Sequence, residues 1–312
     1  ITHDGAFSFP QDIVISRDNA RAYVSNSGAA SVSVIDLSSN EIIAYYLVGS
    51  LPTGTAFNPL RDEVYVLTET DFSVINTNDT IGSDLPDLPC IATIPGLALP
   101  KRCVVSPDGK YLFVSQHGTN PANSDQVYIF DLDTRANVLG EGEGVSVGSD
   151  PMGMAVANHE LYVANSVSNT ISVIDIDPNS PTKWQIRGTI GEMSHPIDVA
   201  VSPDEKYVYV ANAYAHSGLE PDEVAVIDTA THTVIKRITV GNYPYRMATA
   251  GNMLYVTNYM DANVSMINMD TNEVLNTTFG VGTYPTGIAV TADGETIYVV
   301  NNGSQSVSIR IY

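Results

Sequence analysis

Short apolar runs separated by turn residues recur along the whole chain. The most regular run reads Tyr-Val-x-Asn, with close variants, and it occurs seven times at intervals of 42 to 49 residues, beginning at Tyr23, Tyr65, Phe113, Tyr162, Tyr209, Tyr255 and Tyr298. Runs of this length rich in Val, Ile and Tyr are typical of strands, and no window shows a useful helical periodicity. The pattern therefore predicts an all-β protein built from seven units.

Each unit carries further landmarks in a fixed order. A proline and an apolar run come before Tyr-Val-x-Asn, and the seven prolines are Pro10, Pro52, Pro100, Pro151, Pro196, Pro244 and Pro285. A run such as Ser33-Val34-Ile35-Asp36 follows, its final acid able to bond the next turn, and then a fourth apolar run. Four antiparallel strands in each of seven units of about 45 residues predict a seven-bladed β-propeller, with residues 1–312 as its single domain.

The repeats resemble the YVTN-type β-propeller family of surface-layer proteins and lactonase-like propellers. Tyr255-Val256-Thr257-Asn258 spells the motif, and the resemblance covers essentially the whole chain. It implies the same fold, whereas function is less constrained because one scaffold hosts many activities. The chain ends after the third strand of the last unit, so residues 1–9 are expected to supply its fourth strand. This N-terminal strand would join the C-terminal blade and close the ring.

Composition narrows the partners and the location. The chain has 35 acidic and 14 basic residues, a formal net charge of −21. Nucleic acid is not expected as a partner, because phosphates need a Lys/Arg surface. The chain has no stretch of 18 apolar residues, so no transmembrane segment is predicted. The start at Ile1 suggests a trimmed chain. Acidic balance, low lysine content and the family resemblance together favour an extracellular, cell-surface or periplasmic protein.

Charged residues interrupt one ring of small ones. The positions two residues after each proline are expected to encircle the mouth of the central channel: Asp12, Gly54, Arg102, Gly153, Asp198, Arg246 and Gly287. Arginine suits bidentate capture of a carboxylate, so Asp12, Asp198, Arg102 and Arg246 are candidate ligand-binding residues. The alternative is a set of internal charge pairs, with Asp198 and Arg246 on neighbouring blades as the obvious couple.

Histidines and tyrosines are predicted around the same mouth. His117, His195 and His216 fall on that face, and Tyr243, Tyr245 and Tyr284 flank Pro244 and Pro285. We take His195, His117, Tyr243 and Tyr284 as catalytic candidates, and Tyr245 and His216 as ligand-binding candidates, because such a set could hold an acidic sugar and move a proton beside its carboxylate. His159 and His232 are expected on the opposite face as solvated side chains.

Metal and thiol chemistry are weaker expectations. Two long loops, Gln116 to Gln126 and Asn212 to Glu223, carry acidic residues, so a divalent cation (Ca²⁺ or Mg²⁺) stays open as a cofactor, although no regular ligand spacing supports it and no metal ligands are assigned. Cys90 and Cys103 are the only cysteines. They are expected on an outer strand and on the inner strand of the next blade, beyond disulfide reach, as free thiols.

Two functions remain open. The first is a binding or interaction module at the cell surface, with a carbohydrate, a small carboxylate or another surface protein as its partner. It rests on the regular repeats and on the lack of a complete catalytic motif. The second, implied by the resemblance, is an enzyme of the lactonase, cyclase or polysaccharide-lyase type. There Arg102 and Arg246 would neutralise a substrate carboxylate, His195 or His117 would act as base, and Tyr243 or Tyr284 as acid.

Overall fold

The computed structural model describes residues 7–79, 81, 87–118, 125–213, 222–275 and 278–312. Every regular element in these ranges is a β-strand, and the strands form seven sheets. The sheets are the seven blades of a propeller, so the predicted fold class is confirmed. These ranges hold no helix with the length and hydropathy that a bilayer crossing requires.

The strands follow one another blade by blade. Blade 1 begins with β1 (Pro10–Ile15), β2 (Arg21–Asn26), β3 (Ser31–Asp36) and β4 (Glu41–Leu47). Blade 2 has β5 (Thr55–Phe57), β6 (Glu63–Leu67), β7 (Asp71–Asn76) and, after the separate strand β8 (Asp87–Pro89), β9 (Ala92–Pro95). Blade 3 has β10 (Pro100–Val105), β11 (Tyr111–Gln116), β12 (Gln126–Asp131), β13 (Ala136–Asn137) and β14 (Val145–Ser146).

The remaining blades repeat this plan. Blade 4 has β15 (Pro151–Ala157), β16 (Glu160–Asn165), β17 (Thr170–Asp175) and β18 (Ile186–Ile190). Blade 5 has β19 (Pro196–Val201), β20 (Tyr207–Asn212), β21 (Glu223–Asp228) and β22 (Thr233–Thr239). Blade 6 has β23 (Pro244–Ala250), β24 (Met253–Asn258), β25 (Asn263–Asn268), β26 (Glu273–Val274) and β27 (Phe279–Gly280). Blade 7 has β28 (Pro285–Val290), β29 (Thr296–Asn301) and β30 (Ser306–Ile311).

Successive strands of a blade, which we call A to D from the channel outward, pair antiparallel. The seven A strands contact one another around the channel in the order β1, β5, β10, β15, β19, β23 and β28, and β28 contacts β1 again. The ring of inner strands therefore closes between blades 7 and 1. The apolar core lies between neighbouring blades, in clusters that each draw on two of them.

The Tyr-Val-x-Asn run is strand B, and its residue types explain its recurrence. The tyrosine ring is buried between blades, as for Tyr23 and Tyr209. The asparagine at the strand end donates across to a serine of strand C, from Asn26 Nδ2 to Ser33 Oγ at 2.8 Å and equivalently in blades 4, 6 and 7. This bond ties strands B and C together at the channel-mouth end, where backbone pairing stops.

The acid that ends strand C organises the following turn, as predicted. Asp36 Oδ1 accepts hydrogen bonds from the amides of Ser38 and Ser39, each at 2.9 Å. Asp131, Asp228 and Asn268 repeat the arrangement in blades 3, 5 and 6. These amides lie at a hairpin where no strand partner is available, so the side chain satisfies them.

Two blades depart from the simple repeat. Strand β8 pairs parallel with β4 and adds a fifth strand to the outer edge of blade 1. Blade 7 has three strands within the described ranges. Residues 1–6 of the predicted closing strand lie outside the described residues, so that strand stays a prediction. Phe7, the first residue described, packs in one buried cluster with Val300 and Val307 of blade 7.

The residue directly before each blade-starting proline has a left-handed backbone. We call these seven sites the rim positions: Phe9 (φ 47°), Leu51 (50°), Leu99 (54°), Asp150 (55°), His195 (50°), Tyr243 (59°) and Tyr284 (53°). This conformation is uncommon outside glycine. It is held by the loop between strands B and C, whose amide donates to the rim carbonyl in blades 1, 4, 5, 6 and 7. The D–A and B–C loops thus share the mouth face.

Candidate functional site at the channel mouth

Three of the four charged ring residues bind one another across the channel. Arg246 of blade 6 donates to both carboxylate oxygens of Asp12 in blade 1, each at 2.8 Å, and to Asp198 of blade 5 at 3.1 Å. The Asp12 and Asp198 side chains are 1% and 4% exposed. Asp198 and Arg246 do form the predicted couple, and Asp12 makes it a buried triad.

Each of the two carboxylates also accepts a hydrogen bond from a backbone amide. Asp12 Oδ2 accepts from Thr55 N at 3.0 Å, and Asp198 Oδ2 accepts from Met247 N at 2.9 Å. Burial raises the pKa of Asp198 even with Arg246 beside it. Burial would lower the pKa of Arg246, but the charges of Asp12 and Asp198 outweigh it and raise that pKa.

Glycine ring positions leave the room that the triad needs. A Cβ on Gly153 would lie 2.3 Å from Asp198 Oδ1 and 2.6 Å from its Cα. A Cβ on Gly287 would lie 3.0 Å from the Cα of Asp12. Each of these glycines lies on the inner strand of the blade before one that carries a ring aspartate. Because glycine has no side chain, the two neighbouring inner strands can approach closely.

Arg102, the fourth charged ring residue, lies outside the triad. It is 6% exposed, and its Nη2 donates to the hydroxyl of Tyr245 across the channel at 3.2 Å. The guanidinium also lies 5.5 Å from the centre of the Tyr245 ring, in cation–π range. Among the described residues no carboxylate lies within ion-pair distance of Arg102, and its buried Nε has no hydrogen-bond partner. Arg102 therefore puts a positive charge beneath the mouth.

A hydroxyl on strand B supports three of the charged ring positions. The amide of Asp12 donates to Ser25 Oγ, that of Arg102 to Ser115 Oγ and that of Arg246 to Thr257 Oγ1, at 2.9 to 3.1 Å. The hydroxyl occupies the x position of Tyr-Val-x-Asn, opposite a break in the A–B register. A serine or threonine at x thus marks these three blades in the sequence, a signal that the proline count alone misses.

Four tyrosines form a continuous aromatic surface at the mouth of blades 6 and 7. Tyr259 packs on three neighbours: Tyr284 in a stack at 4.9 Å, Tyr245 at 5.6 Å and Tyr243 at 5.7 Å between ring centres. Tyr243 and Tyr245 also stack, at 6.4 Å. We call these four residues the tyrosine platform. Sequence reasoning named three of them and missed Tyr259, the first residue after a Tyr-Val-x-Asn run.

An open pocket of about 340 Å³ lies over the platform. Its lining comes from blades 6, 7 and 1: Gln11, Tyr243, Tyr245, Tyr259, Met260, Thr286 and Asn302. Burial raises the pKa of Tyr243 and of Tyr259, with neighbouring tyrosines adding to the effect. Both hydroxyls therefore stay protonated at neutral pH and can donate hydrogen bonds. Aromatic faces together with amide and hydroxyl groups are suited to a flat, polar ligand.

The candidate histidines contact polar groups of the loops on the mouth face. His117 Nδ1 lies 2.9 Å from Asp125 Oδ1 and 3.5 Å from Asp150 Oδ1. A ring nitrogen of His195 lies 3.1 Å from Ser166 Oγ, which is buried. Both histidines lie on the mouth face, as expected, but no hydrogen bond described here joins either to the platform or to a ring arginine. His216 lies outside the described residues.

On the opposite face His232 differs from the expectation of a solvated side chain. Its Nε2 lies 2.8 Å from Glu160 Oε2, which also accepts from the hydroxyl of Tyr162 at 2.8 Å. Arg187 donates to the other oxygen of Glu160 at 2.9 Å and pairs with Asp175 at 3.2 Å. The reason is that the C–D turn of blade 5 lies against blade 4, so His232 finds a buried carboxylate there.

Cysteines and acidic residues bear on the metal and thiol expectations. Cys90 and Cys103 are free thiols, as predicted, and Cys103 lies on inner strand β10. Cys90 was expected on an outer strand of its own blade but follows β8, with its thiol near Leu47 O of blade 1. In the described ranges no group of three His, Cys, Asp or Glu residues is arranged to hold a metal ion. Parts of both long acidic loops, 119–124 and 214–221, lie outside these ranges.

Comparisons with known proteins support the propeller fold, through one family model and two proteins of similar sequence. Residues 48–187, which span blades 2 to 4, match the family model described as lactonase, seven-bladed β-propeller. The chain is 25% identical over 84% of its length to antigen Lp49 of Leptospira interrogans. It is 31% identical over 45% of its length to the seven-bladed β-propeller protein Rv1057 of Mycobacterium tuberculosis. The chain spans 57% and 32% of the lengths of these relatives.

A solved structure extends the fold likeness to the whole chain. Hydrazine synthase of Kuenenia stuttgartiensis superposes with a TM-score of 0.83 at 20% sequence identity, covering 100% of this chain and 97% of that one. At this identity the likeness concerns the propeller alone.

Proposed function

We propose that this protein is an exported or cell-surface binding module that takes an acidic carbohydrate at the channel mouth. The observation that carries the proposal is the tyrosine platform with Arg102 beneath it, a cation without a carboxylate partner among the described residues. In a chain of net charge −21, a buried positive group hydrogen-bonded to Tyr245, which lines the pocket, favours an anionic ligand. The name of the Leptospira relative, an antigen, agrees with exposure at the cell surface.

Each part of the site has a role in this proposal. The rings of Tyr245 and Tyr259, which line the pocket, offer stacking faces for sugar rings, and Gln11 and Asn302 offer amides for sugar hydroxyls. Arg102 orients Tyr245 and supplies the charge that attracts a uronic carboxylate. The triad of Arg246, Asp12 and Asp198 has a net charge of −1, because one guanidinium faces two carboxylates. Its role in the proposal is structural: it holds the inner strands together beneath the site.

The test is calorimetric titration with trigalacturonate and, as its uncharged match, galactotriose. Replacing Tyr259 by alanine should weaken trigalacturonate binding by about fivefold, since aromatic stacking contributes roughly 1 kcal/mol. The matched control is Tyr207→Ala, a half-buried tyrosine on blade 5 that does not line the mouth pocket. Arg102→Gln should reduce the preference for trigalacturonate over galactotriose. The proposal is wrong if neither sugar binds, or if Tyr207→Ala weakens binding as much as Tyr259→Ala.

A second candidate function is hydrolysis of a lactone, favoured by the match of residues 48–187 to the lactonase family model. Within it, His117 or His195 would act as base and Tyr243, with its raised pKa, as proton donor. Ser166, the partner of His195, is 1% exposed. Its hydroxyl is therefore not accessible to a substrate as a nucleophile. The assay is base uptake at constant pH over a series of aldonolactones. Turnover that either His117→Ala or His195→Ala abolishes would favour the enzyme over the binding module.

A further inference from the structure

A second pocket, of about 280 Å³, lies on the opposite face of the propeller between blades 3 and 4. Its apolar wall is made by Phe113, Val156 and Ile176, and Tyr111 and Lys183 stand beside them. A cavity of about 150 Å³ holds a benzene ring, so this pocket has room for one ring and a short side chain. It is remote from the tyrosine platform, and nothing in the proposed function uses it.

The C–D connection of blade 4 builds one side of this pocket. It runs from Ile176 to Gln185, longer than the corresponding turns of blades 1, 5 and 6. Buried Asp175 anchors it by accepting from the hydroxyls of Ser180 and Thr182 and from the amide of Asp177. Burial would raise the pKa of Asp175, but these donors and Arg187 lower it to about 2. The connection is therefore held in one shape by a carboxylate that stays ionised.

This anchored connection places Trp184 and Lys183 at the pocket. Trp184 has a left-handed backbone, φ 69°, and packs edge-on against Tyr111 at 5.0 Å and Phe113 at 6.0 Å. The Lys183 ammonium lies 4.3 Å from the Trp184 ring, 4.7 Å from the Tyr111 ring and 3.3 Å from the Tyr111 hydroxyl. No carboxylate of the described residues lies within ion-pair distance of it.

The acidic groups around the pocket are already engaged. Asp108 accepts from Ser106 Oγ at 2.6 Å and lies 3.9 Å from the Lys110 ammonium. Glu205 accepts from the amide of Asn158 at 2.7 Å. The pocket thus combines an apolar wall with one cation that is held by aromatic rings and has no carboxylate within ion-pair distance in the part of the chain that the structure describes. The chain has few basic residues.

We propose that the pocket between blades 3 and 4 is a second ligand site, which binds a small aromatic carboxylate with its ring on Val156 and Ile176 and its carboxylate on Lys183. The apolar wall accounts for the ring, and the unpaired ammonium accounts for the anionic group. A cationic ligand is disfavoured because Lys183 occupies the aromatic faces that would receive it.

The chain supplies its own reporter, because Trp184 is its only tryptophan. We would titrate the whole protein with 3-phenylpropionate, its uncharged amide and 3-phenylpropylammonium, and follow tryptophan emission. The carboxylate should shift the emission saturably and bind at least tenfold more tightly than the amide. Lys183→Met should remove that difference, and Lys183→Arg, which keeps the charge, should retain most of it. Tyr259→Ala at the mouth should leave the titration unchanged.

Several results would overturn the proposal. Absence of a saturable change with 3-phenylpropionate up to millimolar concentration would refute the site. Equal affinity for the amide and the carboxylate, or tighter binding of the ammonium compound, would refute the role of Lys183. An unchanged preference for the carboxylate in Lys183→Met would do the same. Because Lys183 is only half-buried, its variants should stay folded, which thermal unfolding checks directly.

Discussion

The buried triad makes a sharp prediction about pH and stability. Replacing Arg246 by methionine would remove the cation and leave Asp12 and Asp198 buried without a counter-ion. Breaking a buried ion pair in this way costs about 3 to 5 kcal/mol. With an unfolding entropy of roughly 2.1 cal/mol/K per residue over 312 residues, this corresponds to a fall of about 5 to 8 °C in melting temperature at pH 8.

The sign of the pH dependence follows from the carboxylates. The pKa of Asp198 is already raised by burial in the native protein, and removing Arg246 takes away its main opposing charge. A carboxyl whose folded pKa exceeds its unfolded value stabilises the fold below the unfolded pKa, and this stability is lost as pH rises through the folded pKa. The deficit of Arg246→Met should therefore be largest at pH 8 and shrink toward pH 4.

The assay is thermal unfolding of wild type and variant at half-unit steps from pH 4 to pH 8. The matched control is Asp12→Asn/Asp198→Asn/Arg246→Met, in which the amide oxygens can still accept from Thr55 N and Met247 N. That triple variant should recover much of the lost stability and lose the pH dependence. An equal deficit at pH 4 and pH 8, or no deficit at either, would refute the reasoning.

Three further predictions follow from the described contacts. Gly153→Ala should lower the free energy of unfolding, measured by urea titration, by about 1 to 3 kcal/mol, because the new methyl group meets Asp198. An unchanged urea midpoint would contradict the close approach. Asp175→Asn should lower the free energy of unfolding at pH 7 by about 2 kcal/mol. The depressed pKa of Asp175 stabilises the fold above pH 3.8, and this stability disappears as pH falls through about 2. Chemical unfolding at pH 7 and at pH 2.5 checks the difference. Cys90 and Cys103, whose pKa values burial raises, should react with iodoacetamide at pH 8 far more slowly than glutathione until the protein unfolds.

The sequence predicted the blades because their defining residues act locally. The tyrosine of strand B, the asparagine at its end and the acid that closes strand C each make a contact within their own unit or with the next one. Tyr23, Asn26 and Asp36 show all three in blade 1. Contacts that recur in the same register from blade to blade leave a period in the chain, and that period can be counted without a structure.

The candidate site could be predicted only in part, because its contacts cross the ring. The count from each proline found Asp12, Asp198 and Arg246, and it anticipated one pair of them. It could not show that Arg246 of blade 6 passes blade 7 to reach Asp12, since this depends on channel width and on glycine at position 287. Tyr259 lies in a B–C loop, outside the repeating landmarks. Its neighbours Tyr243 and Tyr245 flank Pro244 of its own blade, whereas Tyr284 precedes Pro285 of the next blade.

Insertions were the other source of surprises. Strand β8 is three residues long and pairs with blade 1 from within the chain of blade 2, so no local pattern announces it. Trp184 and Lys183 lie in a connection without strand or helix periodicity. Their placement follows from Asp175. Its carboxylate accepts the hydrogen bonds that fix the connection, and these form only once the chain has folded around it.

The rim positions separate conformation from chemistry. All seven share a left-handed backbone, and none is β-branched or glycine: they are Phe9, Leu51, Leu99, Asp150, His195, Tyr243 and Tyr284. Since the fold dictates the backbone there but leaves the side chain at the mouth, exchanging one side chain without β-branching for another should alter recognition while the blade keeps its shape. The propeller thus presents seven such positions on a single face, and those outside the tyrosine platform are where a new binding specificity can be engineered one residue at a time.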